Sequence, residues 1–400
     1  MKIIYHHRTR GEHVEGVHIR GLVRGLSELG NEVVVLSPHG IDKHSIAVPR
    51  PSSTDTARGG RLWRLVRRLA NVSPEFLFEI GELLYNVLAY FRLRQLYLAS
   101  GPMLVYERYA LFMFAGVLLA RRHGIPIVLE MNDSAVVERV RPLFFRKLAT
   151  TLERRILRGA TGIVFVSSRF KRDCEVAHGA LPPSVVSPNC ADGDVFDPKR
   201  FQRDTVRQTL GIETDAVVVG YVGAFVLWHG VHWYVDAISE RIRENPKLIL
   251  LMVGDGRAYE QVRETVVSRG LADRVLLPGR VSHERVPEVM SAMDFAVLPD
   301  SNEFGSPMKL FEFMAMGVPV LAPDLPPIAE VIEDGQTGWL FPRRDVEACI
   351  DATMSMANDP TSVRAVGKRA RARVLERHQW THNAREIVRL AGRSPRGTEE

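Results

Sequence analysis

The chain has 400 residues, 46% of them hydrophobic and 25% charged, which is ordinary for a soluble globular protein. Its length exceeds what one hydrophobic core supports, so we expect two or more domains. The three cysteines, Cys174, Cys190 and Cys349, are far apart and form no CxxC pair, which argues against a disulfide framework or a zinc site and fits a reducing compartment. The opening MKIIYHH lacks a signal-peptide pattern, and no apolar run reaches the ~20 residues that span a bilayer. We therefore expect a cytoplasmic protein.

The net charge is +6, and residues 58–69 carry part of it. In this segment Arg61, Arg64 and Arg68 recur at helical spacing, and leucine and valine occupy the other face, which predicts a basic amphipathic helix. Such a helix can rest on the inner face of the cytoplasmic membrane through anionic lipids. The alternative is that its apolar face packs on the domain and its arginines are solvated. Nucleic acid is not expected as a partner, because no stacking aromatics alternate with the arginines.

Short β-rich runs alternate with helical stretches along the whole chain. This alternation predicts right-handed βαβ units and parallel sheets, with ligands beyond the carboxyl ends of the strands. A segment rich in Pro, Gly and Asp, residues 187–203, separates two series of strands and predicts an interdomain linker. The predicted strands are 2–5, 32–36, 103–106, 127–130, 163–166 and 185–187, followed by 217–222, 248–253, 275–277, 295–298 and 319–322.

Residues 303–324, EFGSPMKLFEFMAMGVPVLAPD, predict a loop followed by a helix. Ser306 suits the N-cap and Pro307 the first helical position. Unpaired amides at the helix start, next to Phe304 and Gly305, would suit a diphosphate.

Two charged residues follow on this helix. Lys309 in the first turn would add a positive charge for the diphosphate. Glu312 lies four residues after Met308 on the same face, where its carboxylate could accept both hydroxyls of a ribose. The segment therefore predicts a sugar nucleotide site. The alternative is an amphipathic core helix with a solvated Glu312.

Several stretches in order resemble a family 4 glycosyltransferase, and the resemblance covers nearly the whole chain. The opening residues 5–38 resemble the first βαβ unit of the family, and Pro188-Asn189 through Phe196 resembles its linker. The other stretches are ATGIVFVSS at 160–168, GYVGAFVLWHG at 220–230, LMVGDG at 251–256 and LPGRV at 277–281.

The resemblance implies an α/β fold with two facing Rossmann-like domains, called GT-B, and an interdomain cleft. Residues 1–190 would form the acceptor-binding domain and residues 191–375 the nucleotide-sugar-binding domain. Residues 376–400 would form a C-terminal helix, which can cross back to the N-terminal domain, and a polar tail.

The resemblance also implies a retaining transfer from a UDP- or GDP-sugar to a hydroxyl acceptor. Because of the basic amphipathic helix predicted at 58–69, we expect the acceptor to be a lipid-linked saccharide of bacterial polysaccharide or envelope glycan synthesis. A soluble small-molecule acceptor, a sugar nucleotide epimerase and a noncatalytic sugar nucleotide binding module of the same fold are the alternatives.

The resemblance assigns donor-binding residues as well. The nucleobase would lie near Arg280 and Val281, the ribose at Glu312, and the diphosphate at the helix start after Gly305. The remaining donor-binding candidates are Gly16, Gly223, Gly254, Asp255, Gly256, Phe304, Ser306 and Met308. The glycines would let the backbone approach the donor closely, or serve only in turns.

Two departures from the family pattern affect the catalytic residues. Phe304 stands where the family has the first glutamate of its EX7E pair, and Glu303 lies one residue earlier, where it would reach the sugar hydroxyls or be solvated. Ala224 and His229 stand where the family has an arginine and a lysine. His229, Lys309 and the helix dipole would then share the stabilisation of the leaving diphosphate, with a pH dependence through His229.

In the N-terminal domain, the resemblance implies that the loop matching residues 130–133 faces the transferred sugar or the acceptor. We therefore assign Glu130 and Asn132 to the catalytic set, with Tyr106 and Arg108 nearby; the alternative is that these side chains only cap strand ends. Retaining transfer on one sugar face needs no enzymic nucleophile, and no carboxylate pair suited to double displacement is evident.

Asp192-Gly193-Asp194 spells a DxD pattern, which holds a divalent metal in another glycosyltransferase architecture. Here it falls in the predicted linker and is interpreted as a turn. We predict no metal requirement and no cofactor beyond the donor substrate.

Overall fold

A computed structural model describes residues 1–9, 11, 14–38, 40–42, 75–101, 103–137 and 142–392. The predicted basic helix at 58–69 lies outside the described residues. The chain forms two compact units: an N-terminal unit of Met1–Ser187 with Thr381–Glu400, and a C-terminal unit of Pro188–Trp380. The first boundary therefore falls after Ser187 rather than after residue 190, and the chain rejoins the N-terminal unit at Thr381 rather than at residue 376.

Seven strands form one sheet in the described part of the N-terminal unit, in the order β3-β2-β1-β4-β5-β6-β7. Neighbours are parallel except for the short edge strand β3, which pairs antiparallel with β2 and was not predicted. The strands are β1 (Lys2–His6), β2 (Glu32–Ser37), β3 (Gly40–Asp42), β4 (Leu104–Arg108), β5 (Ile127–Met131), β6 (Gly162–Phe165) and β7 (Ser184–Val186).

Helices accompany this sheet. Helix α5 begins with an N-cap of the expected kind, because the Ser167 side chain accepts the amide of Phe170. The helices are α1 (Val14–Glu28), α2 (Glu75–Ser100), α3 (Ala115–His123), α4 (Arg146–Arg158) and α5 (Ser168–His178), together with the C-terminal α15 (Trp380–Ala391).

The C-terminal unit has a six-stranded parallel sheet in the order β10-β9-β8-β11-β12-β13. Two apolar clusters of this unit enclose the sheet, whose strands are largely buried. The strands are β8 (Val217–Val222), β9 (Leu248–Val253), β10 (Val275–Gly279), β11 (Phe295–Val297), β12 (Val320–Pro323) and β13 (Trp339–Phe341). The helices are α6 (Arg203–Thr209), α7 (Val231–Ile238), α8 (Arg241–Glu244), α9 (Tyr259–Ser268), α10 (Val286–Ser291), α11 (Met308–Ala315), α12 (Pro326–Ala329), α13 (Val346–Asn358) and α14 (Pro360–Arg377).

The strand order positions a site in each unit. The chain direction across the sheet reverses between β1 and β4 in the N-terminal unit, and between β8 and β11 in the C-terminal unit. Ligands of open α/β sheets bind outside the carboxyl ends of the strands at such a reversal. Among the described helices, none combines the length and apolar character needed to cross a bilayer.

Candidate functional site

The loop after β11 enters α11, but not through the predicted cap. The helix begins at Met308, the N-cap position is the extended Pro307, and no side chain caps the helix. The Ser306 hydroxyl instead accepts the backbone amide of Asn189 at 2.9 Å, and the Asn189 side chain donates to the Ser306 carbonyl at 2.5 Å. The prediction of Ser306 as N-cap was therefore wrong, because a residue far away in the sequence binds its hydroxyl.

Asn302 organises the same loop and was missed by the sequence analysis. Its side-chain oxygen accepts the amide of Gly305 at 2.5 Å and that of Phe304 at 3.3 Å. A side chain at position 305 would meet Asn302, since an added Cβ would lie 2.6 Å from that oxygen. The available signal was an Asn three residues before a Gly, which is typical of a loop closed by an Asx side chain. The Gly305 amide is thus already paired in the ligand-free protein.

Lys309 is held against Tyr221 at the end of β8. Its Nζ donates to the Tyr221 hydroxyl at 3.2 Å and lies 4.6 Å from the centre of the ring. Burial lowers the pKa of Lys309 to about 7, with the nearby Glu312 acting in the opposite direction. Gly223 makes room for this lysine, because a Cβ at position 223 would lie 2.6 Å from Nζ. The positive φ of Gly223 and this contact therefore both favour glycine here, whether or not a donor approaches it.

Glu312 lies one turn after Lys309 and is only 7% exposed. The alternative of a solvated carboxylate is therefore wrong. Burial raises the pKa of Glu312 to about 7, and the charge of Lys309 opposes this shift only in part. Glu312 is thus buried beside the half-buried Lys309, and the pKa of each residue is shifted to about 7.

His229 lies beside this pair in its neutral form. Its Nδ1 is 2.7 Å from the Ala224 carbonyl, which only accepts hydrogen bonds, so Nδ1 carries the proton. The Tyr221 hydroxyl donates to the same carbonyl at 2.9 Å. Burial, followed by the charge of Lys309, lowers the pKa of His229 to about 4. At neutral pH the ligand-free His229 therefore presents an unprotonated Nε2 rather than a positive charge.

The predicted glycine loops pack against one another. A Cβ at Gly254 would overlap the Gly223 carbonyl, and one at Gly256 would lie 2.6 Å from the Phe225 carbonyl. Both glycines have positive φ angles. The Phe225 amide donates to the carbonyl of the exposed Asp255 at 2.7 Å. Close approach between the loops after β8 and β9 thus accounts for the two glycines.

Arg280 and Val281 follow the carboxyl end of β10. Arg280 is exposed, whereas Val281 is half-buried and packs on a core cluster of the unit. The Gly279 carbonyl accepts the amide of Gly254 at 2.9 Å, so these residues continue the same edge of the sheet as the glycine loops.

Glu303 is ion-paired to Arg343, a residue that the sequence analysis missed. The Arg343 guanidinium donates to the Glu303 carboxylate, and its Nε lies 3.2 Å from Asp300. It also donates to the Ser301 carbonyl at 3.3 Å. Arg343 therefore links the segment after β13 to the loop after β11, and its ion pair with Glu303 is one of these contacts.

Glu130 is the centre of a buried polar cluster at the carboxyl end of β5. Arg108 and Asn132 donate to its Oε1 at 2.9 and 2.8 Å, and His18 Nε2 lies 2.6 Å from the same oxygen. Tyr5 donates to Oε2 at 3.2 Å. Burial raises the pKa of Glu130, but His18, Arg108 and Asn132 together lower it well below its usual range. Glu130 is therefore an ionised carboxylate whose oxygens are both occupied by neighbouring side chains.

Other residues of the N-terminal unit surround this cluster. The Tyr106 ring packs edge-on against Tyr5 with centroids 5.0 Å apart. Gly16, in the first turn of α1, is buried where an added Cβ would overlap the Gly11 carbonyl. Close backbone approach within this unit therefore accounts for Gly16.

The DxD-like stretch has the geometry of a turn. The Asp192 carboxylate accepts the amides of Asp194 and Val195 at 3.0 and 3.2 Å. Among the described residues, no group of three or more His, Cys, Asp or Glu side chains is arranged to hold a metal ion.

Comparison with known proteins adds to this geometry. The family model for glycosyl transferases group 1 matches residues 216–359, and that for a glycosyl transferase 4-like domain matches residues 15–190. Alpha-D-kanosaminyltransferase of Streptomyces kanamyceticus is 29% identical over 259 residues, which is 62% of this chain and 65%, just under two thirds, of that protein. 2-Deoxystreptamine N-acetyl-D-glucosaminyltransferase of Streptomyces fradiae is 30% identical over 303 residues, covering 71% of this chain and 70% of that protein.

A solved structure matches the fold along nearly the whole chain. HepE of Anabaena in complex with UDP has a TM-score of 0.68 at 17% identity, covering 97% of this chain and 99% of that one. The same protein in complex with UDP-glucose gives a TM-score of 0.67. The family models and curated relatives, together with this likeness in fold, show that the chain belongs to the family 4 glycosyltransferases and has the GT-B fold.

Proposed function

We propose that the protein transfers a sugar from a UDP- or GDP-linked donor to a hydroxyl acceptor, with retention at the anomeric carbon. The observation that carries the proposal is the half-buried Lys309 beside the buried Glu312 in the first turns of α11, next to the strand-order reversal between β8 and β11. In this proposal the diphosphate binds near Lys309 and the ribose hydroxyls donate to Glu312.

Donor binding would favour the charged form of both Lys309 and Glu312. An anionic diphosphate favours the protonated form of Lys309, and hydroxyl donors favour the ionised form of Glu312. Burial opposes both charged forms in the ligand-free protein. Donor binding would therefore convert a pair that titrates near pH 7 into two fully charged groups. The likeness to HepE, which was solved with UDP and with UDP-glucose, supports a uridine nucleotide.

The contacts of the two candidate carboxylates support a mechanism without an enzymic nucleophile. Glu303 is paired with Arg343, and Glu130 accepts hydrogen bonds at both oxygens. If the acceptor attacks on the face from which the diphosphate leaves, the leaving phosphate oxygen takes the acceptor proton and retention results. The anomeric configuration of the product, read by NMR, tests this part of the proposal.

For the acceptor we propose a lipid-linked saccharide of bacterial polysaccharide or envelope glycan synthesis. This would place the enzyme at the cytoplasmic face of the membrane. A soluble hydroxyl acceptor is the second candidate, because one of the relatives is named for transfer to 2-deoxystreptamine.

Ligand-dependent stability tests the donor site first. UDP, GDP and their glucose and mannose conjugates are compared by thermal unfolding; a ligand at about 100 times its Kd stabilises by roughly 2.7 kcal/mol. The stabilising donor is then assayed for hydrolysis and for transfer to candidate acceptors. If no sugar nucleotide stabilises the protein or turns over, and Glu312→Ala behaves like wild type, the proposal is wrong. Binding without turnover would favour the noncatalytic alternative.

A further inference from the structure

Helix α2 exposes a continuous apolar face. Every exposed residue between positions 77 and 91 is either apolar or glycine. The members recur at helical spacing along ~21 Å of helix, and Leu84 and Phe91 are 65% and 63% exposed. We call this face the α2 stripe: Leu77, Ile80, Leu84, Val87, Leu88 and Phe91.

Buried contacts on the opposite face of α2 hold the helix in the orientation that leaves the stripe exposed. Asn86 is buried, and its side chain donates to the Phe112 carbonyl at 2.7 Å. Its oxygen accepts the amides of Phe114 and Ala115 at 2.7 and 2.9 Å. Because these contacts hold the rotation of the helix, the stripe cannot turn inward without breaking buried hydrogen bonds.

The apolar surface continues onto the start of α4, where basic residues adjoin it. The Phe76 and Phe144 rings lie 5.7 Å apart, and Phe144 is largely exposed. The buried Glu79 carboxylate accepts the Phe144 amide and so fixes this junction. Directly after it, Arg146 and Lys147 are exposed. The surface thus combines a long apolar stripe with adjacent positive charge.

Helix α2, which carries the stripe, lies against the carboxyl end of the N-terminal sheet through its other face. His6, the last residue of β1, lies 3.2 Å from the Tyr85 hydroxyl of α2, and Arg8 is ion-paired to Glu82 of the same helix. The strand order reverses at β1, which is where a ligand of this unit would bind.

We infer that the α2 stripe and Phe144 insert into the headgroup region of an anionic lipid bilayer, with Arg146 and Lys147 bound to lipid phosphates. This inference rests on the proposed transfer to a lipid-linked acceptor and names the surface that brings the enzyme to it. Contiguous exposed apolar patches bordered by polar residues mark protein or membrane interaction sites. An apolar helix face next to basic residues fits an anionic lipid surface. The apolar side chains contact the acyl chains, and the basic side chains bind the anionic headgroups.

Vesicle partition tests the inference with the full chain and without donor or acceptor. Vesicles of phosphatidylcholine containing phosphatidylglycerol are compared with phosphatidylcholine alone. The Leu84→Gln, Phe91→Gln double variant is expected to partition at least about tenfold more weakly than wild type. Val176→Gln is the matched control, because Val176 is 83% exposed on α5 of the same unit and lies outside the stripe; it should partition like wild type.

An Arg146→Gln, Lys147→Gln variant is expected to lose the preference for phosphatidylglycerol by several-fold. Thermal unfolding checks that each variant is folded. The inference is wrong if wild type does not partition, or if the double variant partitions like wild type. It is also wrong if the stripe substitutions abolish self-association in the absence of vesicles, since the face would then be a protein interface. Donor stabilisation by UDP is a separate measurement, so failure of lipid binding leaves the transferase proposal standing.

Discussion

Arg343 forms an ion pair with Glu303. Glu303 lies one residue before Phe304, and Phe304 stands where the family 4 pattern has the first glutamate of its EX7E pair. Glu303 and Arg343 are 40 positions apart in the chain, and their contact joins the loop after β11 to the segment after β13. Glu303 is half exposed, so the carboxylate would have to leave Arg343 in order to contact a sugar.

This relationship predicts the effects of Glu303→Gln and Arg343→Gln. If the pair acts by holding the loop, each variant should raise the donor KM by a similar factor, about 3–5-fold, as expected for a partly exposed ion pair. The double variant should be no worse than either single one, because both changes remove the same contact. Steady-state kinetics with a stabilising donor measures this. A fall in kcat confined to Glu303→Gln would instead assign Glu303 to the transferred sugar.

Glu312→Gln should weaken donor binding while stabilising the protein. Losing a charged acceptor for the ribose should raise the UDP Kd by about 10–100-fold. The pKa of Glu312 is raised to about 7 in the folded protein, so its carboxylate costs stability as pH rises from the unfolded value of 4.5 through 7. The variant should therefore unfold at a higher temperature than wild type at pH 8, and the gain should vanish near pH 4.

Calorimetric titration with UDP and thermal unfolding measure the two effects. Glu264→Gln, at an exposed position on α9, serves as the control and should change neither. An unchanged UDP affinity in Glu312→Gln would remove the ribose assignment.

The fold was largely predictable because alternating strands and helices are local patterns. The first predicted strand, 2–5, corresponds to Lys2–His6, and the predicted 217–222 corresponds to Val217–Val222. The short β3 was missed because three residues carry no periodicity. The site was predicted less completely, because its contacts join distant residues. Asn189 binds Ser306 across 117 positions, and no local pattern reveals that the Ser306 hydroxyl is already occupied.

Lys309 should make donor binding depend on pH. Its pKa is lowered to about 7, so above pH 7 it is deprotonated in the free protein and the bound diphosphate must restore its proton. The UDP Kd should therefore rise by up to tenfold per pH unit between about pH 7 and 9. Lys309→Arg should flatten this dependence, because a guanidinium stays protonated throughout the range.

His229→Gln should keep the wild-type pH dependence of UDP binding. The pKa of His229 is lowered to about 4, so the residue stays neutral from pH 7 to 9 and contributes no titration there. The comparison thus separates the two residues to which the sequence analysis had given a shared role. A profile that flattens in His229→Gln and persists in Lys309→Arg would show that the histidine carries the charge.

Glu130→Gln should act mainly on stability. The substitution leaves the buried His18 and the half-buried Arg108 without their carboxylate, a loss on the order of 3 kcal/mol. The pKa of Glu130 is depressed in the fold, so its stabilising effect is present above the unfolded pKa of 4.5 and is lost as pH falls below that value. The difference in stability between wild type and variant should therefore be large at pH 7 and shrink on acidification.

Hydrogen exchange of the amides of β4 and β5 measures the stability of this unit directly. The Glu175→Gln variant, at an exposed position on α5, is the control and should match wild type. Unchanged protection together with lost transfer would contradict this expectation and identify Glu130 as a group that touches the reacting sugar.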